Sequence, residues 1–433
     1  MITKAELYDA VDEREAELVA FMRDFLAIET ENPPGRNYAE GAAFLAGAME
    51  RRGYDVEEVR VPSDVVARHY PDRTDHERVN VIGRQTGGAE ETGHDTGDDA
   101  NDGPHVHFTG HFDVVPAGED WSTDPYDPVV DEGRIYGRGA SDMKSGIAAS
   151  LFAVDALRAV GPPLPGTITQ SMTVDEETGG FTGLGFLVAE GYVSPDNTDF
   201  CVYTECFDSS RVCLGHRGVL KFHVTATGTK AHGCMAHDGH NAITVMNDFL
   251  TRIEAYREEL HGRTTDLPVT PVESRHADVS ATMLDAGYSE NVVPDRCRAT
   301  FYRVLVPGET VEAAREEIRA LMAETESALE SDLSYDEIMY AEPTAVSEEC
   351  TVARTYVDHV RDFHADPAFV VSPGSDDQRF VVNDAGIEEC IVYGPGLLDQ
   401  AHVVDEYVPI EEVLTAAKVM AVSTADLMGV LAR

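Results

Sequence analysis

The chain has 433 residues, 42% of them hydrophobic, and 79 acidic against 33 basic side chains leave a formal net charge of −46. That balance excludes a nucleic-acid partner, whose phosphates need Lys and Arg. No run of about 18 apolar residues exists to span a membrane. Seven cysteines without a C-x-x-C pair exclude a disulfide scaffold and a structural zinc ribbon. A surface this acidic repels itself in dilute buffer, a penalty that fades when molar salt cuts the screening length to about 3 Å. The composition therefore reads as halophilic. An acid-rich N-terminus unlike a signal peptide makes the expected location cytoplasmic.

In chain order, Leu7, Val11, Leu18, Phe21, Phe25 and Ile28 predict an opening helix that ends before "ENPPG". A helix over 38–52 and a strand at "YDVEEVRV" follow. Residues 83–104, "GRQTGGAEETGHDTGDDANDGP", have no periodicity and read as an acidic surface loop. Buried strands then alternate with helices: "HVHFTG", the helix "KSGIAASLFAVDALRAV", "GTITQSMTV", the helix "GGFTGLGFLVAEG", and "DFCVYTE". That alternation predicts an α/β domain with a central, mostly parallel sheet flanked by helices. From 216 to 342 the order is strand, helix, strand, strand, helix, strand, an inserted ferredoxin-like α+β domain. The first style resumes over 343–433, so the first domain comprises 1–215 and 343–433.

In open α/β sheets, function collects beyond the carboxyl ends of strands. Four strands here end near acids or histidines: "HVHFTGHFD" at His111 and Asp113, "GTITQSMTVDEE" at Glu176 and Glu177, "DFCVYTE" at Glu205, and "IEECIVYGPG" shortly before His402. Asp142, in "YGRGASDMKSG", precedes a helix. Together they supply nitrogen and oxygen ligands without thiolates, with a carboxylate available to bridge two metals. Two metals about 3.5–4 Å apart polarise a carbonyl and acidify a shared water, and a carboxylate outside the ligand set then serves as general base.

The stretches "GHFDVVPAGEDWSTDPYDPVVDEGRIYGRGASDMKSG", "DEETGG", "GTKAHG", "NVVPDRCRATF" and "GPGLLDQAHVVDEYVPIEE" resemble the metallo-deacylase and aminopeptidase family of acetylornithine deacetylase, succinyl-diaminopimelate desuccinylase, aminoacylase and glutamate carboxypeptidase. The resemblance runs from about 105 to 412 in the family's order.

It implies a dinuclear-metal hydrolase that removes an acyl group from an amino acid. The rival readings are a dipeptidase or carboxypeptidase on the same site, or an inactive binding relative. Zn2+ is the default metal, with Co2+ or Mn2+ as alternatives. By the same resemblance, His111 and Glu205 bind one metal and Glu177 and His402 the other, while Asp142 bridges them. Glu176 is the general base, and Asp113 holds the His111 ring. A cis peptide is implied at Asp142–Met143.

In the inserted domain, the resemblance implies that His232 polarises the scissile carbonyl across a homodimer interface and that Asn291 contacts the small-molecule substrate. Arg303 stands one place early for the family's carboxylate-gripping arginine, with Tyr302 where an Asp is usual, and is the candidate for that contact. Gly396 either offers its backbone to the substrate or makes a tight turn.

Overall fold

A computed structural model describes residues 1–87 and 103–432. The chain divides into two compact units: Met1–Leu214 with Val346–Phe369 and Phe380–Arg433, and Gly215–Ala345 with Val370–Arg379. The second takes in a short segment, Val370–Arg379, that lies far along the chain from the stretch read as an insertion.

The sheet of the first unit runs in the order Asp55–Arg60, Val79–Thr86, Thr167–Thr173, His105–His111, Phe200–Tyr203, Cys390–Val392, Arg211–His216. Its four middle strands, from Thr167–Thr173 to Cys390–Val392, are mutually parallel, and their neighbours pair antiparallel. The middle strands are buried almost throughout, as strands covered on both faces must be. Behind them lies the helix Lys144–Val160, with thirteen of its seventeen residues buried. A helix apolar on every side belongs inside a protein, and this one packs against the C-terminal helix Ile410–Leu427.

Three elements depart from the sequence reading. The opening helix is two, Lys4–Asp12 and Glu15–Leu26. The turn falls between Val11 and Leu18, where the pattern has no apolar anchor to reveal it. Residues 83–86 belong to the strand Val79–Thr86 rather than to a loop, while 88–102 of that expected acidic loop lie outside the described residues. The helix expected at 179–191 is reduced to Leu184–Ala189, because the glycines before it form the turn that carries Glu176 and Glu177.

In the second unit the strands Gly218–Thr227, Asp278–Ala286, Arg296–Leu305 and Asp332–Ala341 pair antiparallel, with the first and third in the middle. The helices Ala242–Leu260 and Val311–Leu329 complete one core with them, built on Phe222, Phe249, Ile253, Phe301 and Ile318. This is the ferredoxin-like arrangement. Each such side chain, fully buried, contributes roughly 1.5–3 kcal/mol. Among the described residues no helix is long and apolar enough to cross a membrane.

Candidate metal centre

Parallel register brings the candidate residues to one edge of the first unit. His111 pairs with Thr173, and Thr109 with Tyr203. Two residues beyond Tyr203, Glu205 is therefore level with His111. Past Thr173 the chain turns at Asp175 in the left-handed region (φ +63°), a conformation Asp tolerates better than most residues. The fully buried Asp175 carboxylate accepts from Arg78 Nε (2.7 Å), the Tyr38 hydroxyl (2.9 Å) and the Thr182 hydroxyl. Of three consecutive acids, the first is thus an anchor and the next two face the centre.

The His111 Nδ1–H donates to the Asp113 carbonyl (2.9 Å), which leaves Nε2 to face the site. His111 Nε2 lies 3.1 Å from Glu205 Oε2 and 3.3 Å from Asp142 Oδ1. The other oxygen of Asp142, Oδ2, is 3.2 Å from His402 Nε2, which is 3.1 Å from Glu177 Oε2. Two groups result, His111/Asp142/Glu205 and Asp142/Glu177/His402, each with ligand atoms within 4.8 Å of one another. Two ligands each about 2.0–2.1 Å from a tetrahedral zinc stand roughly 3.3 Å apart, so the spacings and the donor set fit a pair of divalent ions sharing Asp142. Glu176 lies outside both groups, with Oε2 3.9 Å from His111 Nε2. The Asp142–Met143 peptide is cis.

Burial and neighbouring charges oppose one another across the cluster. Burial alone would lower the His111 pKa, but Asp113, Asp142 and Glu205 hold it well above its ordinary value. Hydrogen bonds to Asp142 and Glu177 push His402 up to about 11. Burial, then repulsion from Asp142, raises Glu205 to about 7 and also raises Glu177. Burial would raise Asp142 too, but hydrogen bonds from both histidines bring it well below the usual range. Crowded carboxylates that can be neutralised only by imidazolium are the environment a dication stabilises.

Other residues support this arrangement, and of these Asn32 and Glu406 escaped the sequence reading. Asp113 accepts the backbone N–H groups of Glu176 (3.3 Å) and Glu177 (3.2 Å), and the buried Asn32 donates to it (2.8 Å). The buried Glu406 holds the loop that ends at Asp142. Asn32 in "ENPPG" and Glu406 four places after His402 looked like any other polar residues in an acidic chain. Gly394 and Gly396 are needed for close backbone approach: a Cβ would stand 2.4 Å from the Glu205 carbonyl and 2.0 Å from the Ser141 carbonyl, respectively.

His232, Asn291 and Arg303 belong to the second unit. His232 and Asn291 are exposed neighbours, the Gly233 N–H donating to the Asn291 carbonyl (2.7 Å). His232 Nδ1 accepts the Cys234 N–H (3.2 Å), which leaves Nε2 as the proton-bearing nitrogen of the neutral ring. Arg303 is fully buried; its guanidinium pairs with Glu309 (2.5 Å) and donates to the Tyr256 hydroxyl (3.2 Å). That internal pairing occupies the side chain expected to grip a substrate carboxylate.

Paired His/carboxylate groups around one shared Asp are the donor arrangement that a dinuclear-metal hydrolase requires. The family profile of Peptidase family M20/M25/M40 matches residues 107–424, and the chain belongs to that family. It is a metal-dependent amidohydrolase. It is 30% identical over 329 residues (72% of this chain, 80% of the relative) to succinyl-diaminopimelate desuccinylase of Paracoccus denitrificans (strain Pd 1222). To a probable succinyl-diaminopimelate desuccinylase of Staphylococcus epidermidis (strain ATCC 12228 / FDA PCI 1200) it is 24% identical over 418 residues, 91% of this chain and 93% of the relative. Among solved structures, the dipeptidase Dug1p of Saccharomyces cerevisiae aligns over 98% of each chain with a TM-score of 0.77 at 15% identity.

Proposed function

We propose that the protein removes the acyl group from an N-acylated amino acid, of the succinyl-diaminopimelate or acetylornithine type, with Zn2+ at both positions. The observation that carries this reading is Asp142, whose two oxygens face two different histidines at 3.3 and 3.2 Å. Bound ions would polarise the amide carbonyl and acidify a water. His111 and Glu205 would hold one, Glu177 and His402 the other.

Glu176 takes the water's proton and passes it to the leaving amine; Asp113 fixes Glu176 through its backbone amide. His232 of a second copy, across the homodimer interface, donates from Nε2 to the carbonyl oxygen as negative charge develops there, and Asn291 of that copy orients the substrate beside it. The outer strand Asp278–Ala286 leaves Met283 69% exposed, which supports pairing with a second copy. The acid-rich composition supports work in a salt-loaded cytoplasm.

The test is a screen in multi-molar KCl with added Zn2+ or Co2+, comparing N-succinyl-diaminopimelate and N-acetylornithine with dipeptides. Faster turnover of dipeptides would replace the deacylase reading. In Glu176→Gln, kcat should fall about 10²–10⁴-fold with metal content unchanged. Turnover at the wild-type rate would remove Glu176 as the base.

A further inference from the structure

Glu406 lies four residues beyond His402, and its side chain is fully buried. Its carboxylate collects four donors from one short stretch. Oε1 accepts the N–H groups of Ser141 (2.8 Å) and Asp142 (3.1 Å). Oε2 accepts the Gly139 N–H (3.1 Å) and Arg138 Nη1 (2.6 Å). Inward-turned amides of this kind form an anion cradle, and Gly139, at φ +87°, supplies the left-handed turn it needs.

Further bonds close the same seam. The Gly137 N–H donates to the Glu406 carbonyl (3.0 Å), the Ser141 hydroxyl to the Tyr407 carbonyl (2.8 Å), and the Leu397 N–H to the Ser141 hydroxyl (3.1 Å). The stretch 137–142 is therefore stitched to both ends of 397–407. Asp142 terminates the first, and His402 sits within the second.

The consequence is unequal for the two metal positions. Asp142/Glu177/His402 takes two ligands from clamped stretches, whereas His111/Asp142/Glu205 takes one. Resting on the two-metal reading above, we propose that Glu406 is a positioning residue that fixes Asp142 and His402 relative to each other. It thereby controls occupancy of the His402 position more than that of the His111 position. All four partners are donors, so the role requires a carboxylate. An amide of the same shape would turn its own N–H groups against at least one of them.

The test titrates metal-free, full-length wild type, Glu406→Gln and Glu406→Asp with Co2+ in molar KCl, following visible absorption and bound stoichiometry by equilibrium dialysis. Thermal melts of the metal-free proteins run beside it. Wild type should bind two equivalents. Glu406→Gln should bind one of them about 10–100-fold more weakly, with the other at least tenfold less affected. Glu406→Asp, which keeps the acceptors at shorter reach, should recover part of the loss. A purely structural role would lower the melting temperature and weaken both equivalents alike. That outcome, or two unchanged affinities, overturns the proposal. If Glu406→Gln does not fold, Glu406→Asp is decisive: selective weakening of one equivalent supports the proposal, and uniform or absent weakening overturns it. Wild type binding fewer than two equivalents would overturn the two-metal reading itself.

Discussion

Arg78→Met removes one half of an ion pair in which both side chains are 0% exposed. Arg78 Nε donates to Asp175 (2.7 Å), Nη1 to the His76 and Arg73 carbonyls (2.7 and 3.2 Å), and Nη2 to the Pro34 carbonyl (3.1 Å). Without it, Asp175 keeps the Tyr38 and Thr182 hydroxyls but has no counter-charge. Burial already pushes the Asp175 pKa up, and Arg78 is the leading opposing influence. Breaking a buried pair by removing one partner costs about 3–5 kcal/mol, a large share of the roughly 5–15 kcal/mol that holds a protein folded. For a first unit of about 290 residues, about 2.1 cal/mol/K per residue converts to about 1.6 °C per kcal/mol, so the melting temperature should fall about 5–8 °C. Because Asp175 sets the turn that aims Glu176 and Glu177, activity should fall with it.

The assay is a thermal melt in molar KCl of wild type, Arg78→Met, Asp175→Leu and the double variant. The double variant should be less destabilised than the sum of the two single ones, since no unpaired charge remains in it. A melting point for Arg78→Met within about 2 °C of wild type, against the shift worked above, would refute the reasoning.

Two further outcomes concern protons. Burial, with a smaller effect of Arg84, pushes buried His107 down to about 3, whereas the unfolded chain protonates near pH 6.5. The unfolded state therefore binds the extra proton between those values. His107 lowers stability as pH falls from about 6.5 toward 3, by up to about 5 kcal/mol in all. Melts of His107→Gln against wild type across pH 7 to 4 should show a shallower acid loss in the variant; parallel curves would refute the assignment. Loading the metal-free protein with Zn2+ at pH 7 in weak buffer should release about two protons, because His111 and His402 are both held above neutrality by their carboxylates. A pH-stat trace without release would contradict the geometry of the centre.

Local pattern carried much of this molecule. Alternating buried strands and helices announced the α/β unit and the ferredoxin-like insertion because burial on both faces, or on one helical stripe, must be written as apolar periodicity. Of the residues in the two candidate ligand groups, His111, Glu177 and Glu205 were legible because they stand at or just past the ends of such strands, while Asp142 stands before a helix and His402 in the loop after a strand. The supports were not. Glu406, Asn32 and Arg78 are polar side chains whose roles come from partners up to 268 positions away, and an isolated polar residue in an acid-rich sequence has no period to mark it. Arg303 shows the converse: a motif position suggested a substrate contact, and packing against Glu309 and Tyr256 turned the side chain inward. What only the tertiary structure decided is therefore which charges face each other, since Coulomb and hydrogen-bond partners follow distance in space rather than separation along the chain.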